Sequence, residues 1–416
     1  MLLSYKECIS YITAKNKFAV KLGLERMREF CELLGNPQDF LRCIHIAGTN
    51  GKGSTSLMIA NALQHAGYKV GRLISPSVYE FNERISINNT PIPENRLAEI
   101  VSKIALLDNG VSEFEFVTAL AFLYFAEENC DFVVLEVGLG GRLDATNIIQ
   151  KPELCVITAI GYDHMEYLGE TLTKITHEKC GIIKEGCRVV VYPEQLAEAL
   201  VIIKDTSLSL NAEIISVSAG SVLSSSMEGS IFIHDDTEYT ISLLGDHQVL
   251  NASTAITALN SLSGADITYE SLQHALTHSQ LPARFEIISK RPYIILDGAH
   301  NYGGITALYS SLSQYFHDKK ITIIMGMLST KEYEKCVPEL AKLANCFIAT
   351  KPDTFNALEP SVLQSIAKKY CSKTFVFDNP CDAISFSLDS ASSEVICICG
   401  SLYLMDGIPN FVKTCL

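Results

Sequence analysis

The stretch HIAGTNGKGST, residues 45–55, determines how the rest of the chain is interpreted. A short apolar run leads into a glycine-rich turn, and the turn opens a segment with helical periodicity, SLMIA at 56–60. Gly48, Gly51 and Gly53 allow backbone N–H groups to fold around phosphate oxygens, and the start of a helix adds a favourable field. The pattern predicts a phosphate-binding loop between a strand and a helix.

The polar residues of this loop have predicted roles. Lys52 supplies a point charge for the terminal phosphates of a nucleotide, and Ser54 or Thr55 supplies a hydroxyl for magnesium. The match departs from the general pattern because residue 46 is Ile rather than Gly and because Gly53 separates the lysine from the hydroxyl. A structural turn is the alternative, but the flanking strand and helix favour a nucleotide. The candidate nucleotide-binding residues are Gly48, Thr49, Asn50, Gly51, Lys52, Gly53, Ser54 and Thr55.

Polar residues also stand at the ends of later strand-like runs. Glu136 ends the run DFVVLE, and His164 follows the run VITAI. Because the carboxyl ends of parallel strands open toward a ligand crevice, both side chains are candidate metal ligands. The segment GLGGRLDATN at 138–147 is too rich in glycine for a simple connector and predicts a substrate or metal loop. For His164 a hydrogen-bonded structural role is the alternative.

Two further positions allow an ordinary and a functional interpretation. Lys179, in EKCGIIK at 178–184, lies where a helix is predicted to end, and the helix dipole stabilises a cation there. Asp297 and His300, in LDGAHN at 296–301, follow a strand-like run with Arg284 upstream. A solvated strand end is the alternative for these last residues.

Apolar runs alternate with segments of helical period over the first part of the chain, which predicts a mostly parallel sheet covered by helices. The predicted strands are residues 43–47, 69–74, 132–137, 155–160 and 188–192. Residues 212–244 differ, because short runs such as SIFIH and EYTISLL are separated by Gly and Asp, and they predict an antiparallel add-on. Helices are predicted at 248–262 and 269–278.

A second series of strands and helices begins after Leu281-Pro282-Ala283. Its predicted strands are residues 294–296, 321–325, 346–349, 374–377 and 395–399. Since 416 residues exceed the size at which one core usually stops growing, two domains are expected. The predicted fold is α/β: a domain at 1–280 with the phosphate loop, a mostly parallel sheet and the antiparallel add-on, followed by a smaller Rossmann-like domain at 284–416.

Composition narrows the classes of partner. Apolar residues make up 48% and charged residues 19%, as in globular proteins with ample core. A net charge of -14 without a Lys/Arg run disfavours nucleic acid. No run reaches the roughly 18 apolar residues of a membrane span, and the N-terminus lacks a signal-peptide pattern, so we expect a cytoplasmic protein without a membrane partner. Scattered cysteines without a C-x-x-C pair indicate buried free thiols.

Blocks along nearly the whole chain, in order, resemble those of the folylpolyglutamate synthase and dihydrofolate synthase family, within the Mur ligase superfamily. The blocks are KLGLERM (21–27), LGNPQ (34–38), HIAGTNGKGS (45–54), SPSVYEFNERI (75–85), LEVGLGGRLDATN (135–147), DHMEYLG (163–169), EKCGIIK (178–184), GDHQVLNA (245–252) and LDGAHN (296–301). The resemblance implies an ATP-dependent, ADP-forming ligase that joins an acid to an amino acid.

The resemblance also implies roles for individual residues. Two magnesium sites are implied, with ligands at Ser54, Ser75, Glu136, His164 and Lys179. Lys179 matches a lysine that is carbamylated in this superfamily, which converts a cation into an anionic ligand. Nucleotide contacts outside the loop are implied at Asn251, Arg284 and Asp297. Substrate positions are implied at His300 and Ser401 for the incoming glutamate and at Asp144 in the pterin loop. The implied catalytic residues are Lys52, His164, Lys179, Asp297 and His300.

The implied reaction adds L-glutamate to a folate, to dihydropteroate or to both, through an acyl phosphate, in a monomeric enzyme that uses ATP and Mg²⁺. Three departures from the family pattern bear on substrate preference and domain closure: Ser77 replaces a common histidine, Ala283 replaces a glycine, and Ser329-Thr330-Lys331-Glu332 replaces Asp-Lys-Asp. The alternatives are a Mur-type ligase for another carboxylate and a nucleotide-binding regulator without turnover.

Overall fold

The computed structural model describes residues 2–15, 23–389 and 393–416, so residues 21 and 22 of the KLGLERM block lie outside the described residues. The strands of the first sheet are β1 (Cys43–Ala47), β2 (Val70–Leu73), β3 (Ile85–Ile87), β4 (Thr90–Pro91), β5 (Phe132–Glu136), β6 (Leu154–Ile157), β7 (Arg188–Val191) and β8 (Glu213–Ser216). Their order is β4-β3-β2-β5-β1-β6-β7-β8. The strands from β2 to β8 in that order are parallel, which confirms the predicted sheet, while β3 and β4 add an antiparallel edge that was not predicted.

Helices cover both faces of this sheet. They are α1 (Tyr5–Ala14), α2 (Glu25–Leu33), α3 (Lys52–His65), α4 (Glu94–Ile104), α5 (Glu113–Glu127), α6 (Met165–Leu168), α7 (Leu172–Cys180), α8 (Ala197–Ser209), α9 (Asp246–Asn260) and α10 (Tyr269–His278). Successive side chains of β5 alternate between the faces: Val133 and Leu135 pack with α5, whereas Phe132 and Val134 pack with α3 and α9. Each such buried side chain contributes roughly 1.5–3 kcal/mol, which explains why the central strands are apolar throughout.

The antiparallel add-on is confirmed in part. β9 (Ser221–Ser226), β10 (Gly229–His234) and β11 (Thr237–Ile241) form a separate three-stranded antiparallel sheet. The prediction was wrong for the start of this stretch, because β8 pairs in parallel with β7 and extends the main sheet. β8 is only partly buried at this edge, so its sequence lacks the continuous apolar run of a central parallel strand.

The second sheet is mixed. Its strands are β12 (Glu286–Lys290), β13 (Tyr293–Asp297), β14 (Ile321–Met325), β15 (Cys346–Ala349), β16 (Thr374–Val376) and β17 (Val395–Cys399), in the order β12-β13-β17-β14-β15-β16. The accompanying helices are α11 (Tyr302–Phe316), α12 (Tyr333–Leu343), α13 (Pro360–Ala367), α14 (Pro380–Asp389) and α15 (Ile408–Cys415). All five predicted strands are present. β12 was not predicted; it is an antiparallel edge strand without a buried residue, so its apolar signal is weak.

The two sheets are joined by residues 281–285, where the backbone is unusual. Ala283 and Phe285 have positive φ values of 52° and 48°, a conformation that costs a residue other than glycine roughly 1–2 kcal/mol. Hydrogen bonds hold both residues in place: Ala283 N donates to Glu286 Oε2 and Phe285 N to Asp297 Oδ2, each at 2.8 Å. Where the related pattern has glycine, this chain therefore keeps the left-handed turn with an alanine.

Short 3₁₀ turns complete the described fold. They lie at Pro37–Phe40, Phe81–Arg84, Ala105–Leu107, Ala145–Ile148 and Leu402–Leu404. The cysteines are free and, apart from Cys415, fully or partly buried, as expected. Among the described residues, no helix combines the length and the apolar character that crossing a bilayer requires.

Candidate active site

The predicted phosphate loop joins the end of β1 to the start of α3, and at two of its positions the surrounding space admits only glycine. A Cβ atom on Gly51, where φ is +85°, would lie 2.3 Å from Asn251 Oδ1. A Cβ atom on Gly48 would lie 1.9 Å from Thr158 Oγ1. Gly48 and Gly51 are therefore required for steric reasons, since the loop backbone lies directly against the end of β6 and against α9, whereas a Cβ atom on Gly53 would make only ordinary contacts at 3.7 Å.

One cavity of about 540 Å³ gathers most of the predicted site residues. It is lined by residues 48–54, by the proposed metal ligands Ser75, Glu136, His164 and Lys179, and by Asn251, Arg284, Asp297 and His300. Thr55 lies behind the loop and is buried, and its hydroxyl has no hydrogen-bond partner among the described residues. The carboxyl ends of β1, β5 and β6 form one wall, and residues following β13 face them from the second sheet.

The charges in this cavity are buried together. Lys52 Nζ donates to the backbone oxygens of Gly48 and Thr49 at 3.1 and 3.2 Å. Burial lowers the pKa of Lys52, although Glu136 and Asp163 favour its charged form. Burial conversely raises the pKa of Glu136, although the charge of Lys52 acts against this. Because Lys52 and Glu136 are shielded from water, their charges interact strongly with a phosphate group or a metal ion that enters the cavity.

Lys179 does not behave as a solvated lysine at a helix end. It lies in the last turn of α7, but its side chain is buried and its nitrogen donates to Gly48 O at 2.8 Å. Burial, together with the nearby charge of Lys52, lowers the pKa of Lys179 to about 7. A large fraction of this amine is therefore neutral near neutral pH, which gives it nucleophilic character.

The donors in the cavity fit magnesium better than a metal that is bound by nitrogen or sulfur. In the described part of the chain, no three His, Cys, Asp or Glu side chains converge on one point. Magnesium prefers oxygen, takes few protein ligands and keeps water and phosphate oxygens for the rest. Ser54, Ser75 and Glu136 offer such oxygens at the cavity wall, His164 offers one nitrogen, and Lys179 offers oxygens only as a carbamate.

Hydrogen bonds to nearby backbone atoms hold the side chains of Asp297 and Arg284, which reach the cavity from the second domain. Asp297 accepts hydrogen bonds from Ala299 N at Oδ1 and from Phe285 N at Oδ2, both at 2.8 Å. Burial raises the pKa of Asp297, although Arg284 lowers it. Arg284 Nη1 donates to Ala283 O at 3.0 Å, so its guanidinium is placed by the same strained turn that joins the two sheets.

Two predicted substrate residues lie apart from this cavity. Asp144 is buried, and its carboxylate accepts from Thr146 N, Thr146 Oγ1 and Leu139 N at 3.0, 2.5 and 2.8 Å, so it organises the 138–147 loop. Asp144 lines a second cavity, of about 1210 Å³, together with Tyr79, Phe114 and Tyr403. Ser401 is buried and accepts from Tyr403 N at 3.2 Å; it lines neither cavity.

The two cavities adjoin. Ser75, Gly138, Leu139, His164 and Leu402 contribute to the lining of both. A ligand in the larger cavity can therefore place one end beside the phosphate loop. This arrangement suits the transfer of a phosphoryl group between a nucleotide and an elongated acid.

A cluster of polar residues around Asp163, the residue before His164, was not predicted from the sequence. Lys331 Nζ lies 2.5 Å from Asp163 Oδ1, Asn301 Nδ2 lies 3.0 Å from Oδ2, and His300 Nε2 lies 3.4 Å from Oδ2. Burial alone would raise the pKa of Asp163, but hydrogen bonding to His300 and the charges of His300 and Lys331 hold it well below its usual range. The position of Asp163 at a strand end was a usable signal, whereas its partners are 137 or more residues away.

Two family models match consecutive parts of the chain. The Mur ligase middle domain matches residues 46–259, and the glutamate ligase domain of Mur ligases matches residues 283–402. These matches cover the phosphate loop with its parallel sheet and most of the second sheet. Together with the cavity between them, they define a protein of the Mur ligase class.

Individual relatives narrow the class. The chain is 37% identical to the dihydrofolate synthase/folylpolyglutamate synthase of Bacillus subtilis over 99% of this chain and 100% of the relative. Among solved structures, Thermotoga maritima folylpolyglutamate synthase matches with a TM-score of 0.84 at 32% identity, over 99% of this chain and 97% of that one. Escherichia coli FolC in complex with DHPP and ADP matches with a TM-score of 0.87 at 26% identity, over 99% and 98%. The chain therefore belongs to the folylpolyglutamate synthase and dihydrofolate synthase family.

Proposed function

We propose that this protein is an ADP-forming ligase that uses ATP to join L-glutamate to the carboxylate of a folate, of dihydropteroate or of both. The single observation that carries the proposal is the cavity in which Lys52, Glu136 and Lys179 face Arg284 and His300. Family membership and the adjoining larger cavity support the choice of substrate.

The chemistry requires activation of the acid. A carboxylate does not condense with an amine in water because its oxygen is a poor leaving group, so a phosphoryl group is first transferred to it. The resulting acyl phosphate is attacked by the glutamate amine, and phosphate leaves. Lys52, already buried beside the loop carbonyls, offsets charge on the transferring phosphoryl group, and the loop orients the nucleotide. Arg284 and Asp297 would contact the nucleotide from the second domain, with Asn251 beside the loop.

The residues that would hold magnesium are Ser54, Ser75 and Glu136 for one ion and His164 with Lys179 for a second. Bound magnesium would neutralise charge on the phosphates and on the reacting oxygens. The fit rests on the oxygen donors of the cavity wall. Lys179 would contribute only after carbamylation, in which its neutral amine attacks carbon dioxide, forms an N–C bond and releases one proton. The lowered pKa of Lys179 and its place against Gly48 support this proposal.

The substrates would occupy both cavities. The larger cavity, with the loop that Asp144 organises, would take the pterin end of the acid, and a volume of about 1210 Å³ suffices for a molecule of that size. His300 would contact the incoming glutamate. Ser401, buried behind Leu402, would require a local shift for such a contact. The proposal also includes a division into domains 1–280 and 284–416, a monomeric state and a cytoplasmic location.

The decisive experiment supplies purified protein, ATP, magnesium and labelled glutamate, with dihydropteroate and tetrahydrofolate in separate reactions. Label incorporated into either acid supports the proposal and identifies the substrate. Glutamate-dependent ADP release with another carboxylate alone would indicate a different Mur-type ligase. No glutamate-dependent ADP release with any acid would indicate a nucleotide-binding regulator, which is the remaining alternative.

A further inference from the structure

A buried ion pair joins the two matched domains next to the reaction cavity. Lys331 belongs to the glutamate ligase domain and Asp163 to the middle domain, and their charged atoms are 2.5 Å apart. Each side chain is only 9% exposed. A charge pair with so little water is stable only while both partners stay in place, because removal of one leaves the other buried and unpaired.

Lys331 is anchored in its own domain and reaches across to the other. Its backbone N–H donates to Leu328 O at 3.2 Å, and the neighbouring Ser329 N donates to Asn356 O at 2.9 Å. The side chain does not line either cavity, so Lys331 is not placed to contact a substrate. Its single charged partner among the described ion pairs is Asp163.

Asp163 is connected through hydrogen bonds to residues that contact the predicted phosphate loop. Asn301 donates to Asp163 Oδ2 at 3.0 Å and also exchanges two amide hydrogen bonds with Asn50 of the loop, at 3.0 and 3.2 Å. The Oδ1 atom of Asn301 accepts from Gly304 N at 2.9 Å and thereby caps α11. The start of α11, the loop and Asp163 are thus held in one arrangement.

His300 is oriented by the same carboxylate. Its Nδ1 atom lies 2.8 Å from Gly298 O, and its Nε2 atom lies 3.4 Å from Asp163 Oδ2. Close contacts at both ring nitrogens therefore restrict the orientation of the imidazole at the cavity wall. If Asp163 turned away, the ring would lose the contact that directs it across the domain boundary.

We propose that Lys331 is a positioning residue, which holds Asp163 so that the glutamate ligase domain stays closed, His300 stays aligned and water is kept from the acyl phosphate. The proposal rests on the proposed function for its link to glutamate ligation. Opening of this contact would admit water to the activated acid, and ATP would then be consumed without product.

The test compares Lys331→Met, which removes the charge, with Lys331→Arg, which retains it. Lys342→Met is the matched control, because Lys342 is an exposed lysine of α12 that pairs only with Glu339 in the same helix among the described ion pairs. Each variant is assayed for ADP released, glutamate incorporated, and the KM values for glutamate and ATP. For Lys331→Met we expect kcat/KM for glutamate to fall by about tenfold or more and the ratio of ADP to product to rise about twofold or more. Lys331→Arg should have a ratio of ADP to product close to that of the parent. Lys342→Met should have the parent ratio and the parent kcat/KM for glutamate.

The result that overturns the proposal is a Lys331→Met protein with the parent ratio of ADP to product and the parent KM for glutamate. A fall in kcat alone, with the ratio unchanged, also overturns it, since a merely structural role gives that outcome. If Lys331→Met does not fold, Lys331→Gln, which keeps a donor without charge, takes its place.

A second readout needs no substrate. Hydrogen exchange on the full chain should show amides 301–305 and 49–52 exchanging about threefold or more faster in Lys331→Met than in Lys342→Met. Unchanged exchange contradicts the contact itself. If the parent ligates no glutamate but exchange changes as expected, the proposed function fails and the cross-domain contact stands.

Discussion

The side-chain nitrogen of Lys179 lies 2.8 Å from the backbone oxygen of Gly48, although the two residues are 131 positions apart in the chain. This hydrogen bond places an amine with a pKa of about 7 against the phosphate loop. Neither an exposed lysine at a helix end nor a simple core residue combines these two features. The burial, the hydrogen bond and the lowered pKa of Lys179 therefore favour a functional role for this side chain over a purely structural one.

Lys179→Ala should abolish most ligase activity, by about a hundredfold or more, because it removes a proposed metal ligand of the reaction cavity. A short carboxylic acid in solution, such as acetate, should restore part of the loss by supplying the oxygens of the missing carbamate. Steady-state turnover with and without the acid measures both effects. An active parent enzyme whose Lys179 stays unmodified in the presence of carbon dioxide, as judged by crystallography, would exclude the carbamate.

Lys52→Ala should lower kcat by about a hundredfold or more while the fold is retained, because a fixed charge beside the transferring phosphoryl group is lost. Lys103→Ala removes an exposed lysine of α4 and is the matched control. Near-parental turnover of folded Lys52→Ala would contradict the assignment of the phosphate loop.

Arg284→Ala should weaken ATP binding by about tenfold or more, as expected for a lost charged hydrogen bond of roughly 1.5–3 kcal/mol. The reason is that Arg284 lines the cavity of the proposed nucleotide site from the side of the second domain. Calorimetric titration with a non-hydrolysable ATP analogue measures the change. Arg291 is an exposed arginine in the turn between β12 and β13, and the Arg291→Ala variant should bind the analogue like the parent. Equal affinities in the two variants would contradict the proposed contact between Arg284 and ATP.

Gly51→Ala should lose nucleotide binding, because the new Cβ atom would lie 2.3 Å from Asn251 Oδ1. The Gly67→Ala variant is the matched control, because it introduces the same backbone strain without the steric clash. Gly67 has a φ of +95°, close to the +85° of Gly51, but a Cβ atom there would meet no atom of the described residues within 4 Å. Both variants should lose roughly 1–2 kcal/mol of stability from the backbone, whereas only Gly51→Ala should lose affinity for the nucleotide. Equal affinities would contradict the steric role of Gly51.

Acid should destabilise the protein through His45. Its Nε2 atom lies 2.8 Å from Thr146 Oγ1, its Nδ1 atom has no hydrogen-bond partner in the described part of the chain, and burial lowers its pKa to about 3. Between its ordinary pKa of 6.5 and this value, the unfolded chain binds a proton that the folded chain does not. The free energy of unfolding should therefore fall as pH falls through this window, by up to about 1.4 kcal/mol per pH unit from this group.

The variant His45→Gln lacks this titration. Chemical denaturation at several pH values between 6.5 and 4 should show a smaller slope of unfolding free energy against pH in the variant than in the parent. Identical slopes would contradict the buried neutral imidazole, whatever the stability of the variant at neutral pH.

The sequence predicted much of the fold because its signals are local. The central strands of both sheets are apolar runs, and the loop at 48–55 carries its glycines and lysine in one segment. The strands at or beside the sheet edges, β3, β4, β8 and β12, were missed or misassigned, since short or partly exposed strands there need no continuous apolar run. Edge pairing depends on which neighbour is available in space, and a single segment does not encode that.

The same distinction between local and long-range information applies to the candidate site. The sequence by itself determined the family resemblance and predicted the glycine-rich loop and the acidic and imidazole groups at strand ends, because these depend on residue type and short spacing. Only the tertiary structure decided that Lys179 meets Gly48, that Asp144 serves its own loop, and that Lys331 reaches Asp163. Hydrogen bonds and ion pairs act over about 3 Å, so residues 131 or 168 positions apart interact only after the chain has folded.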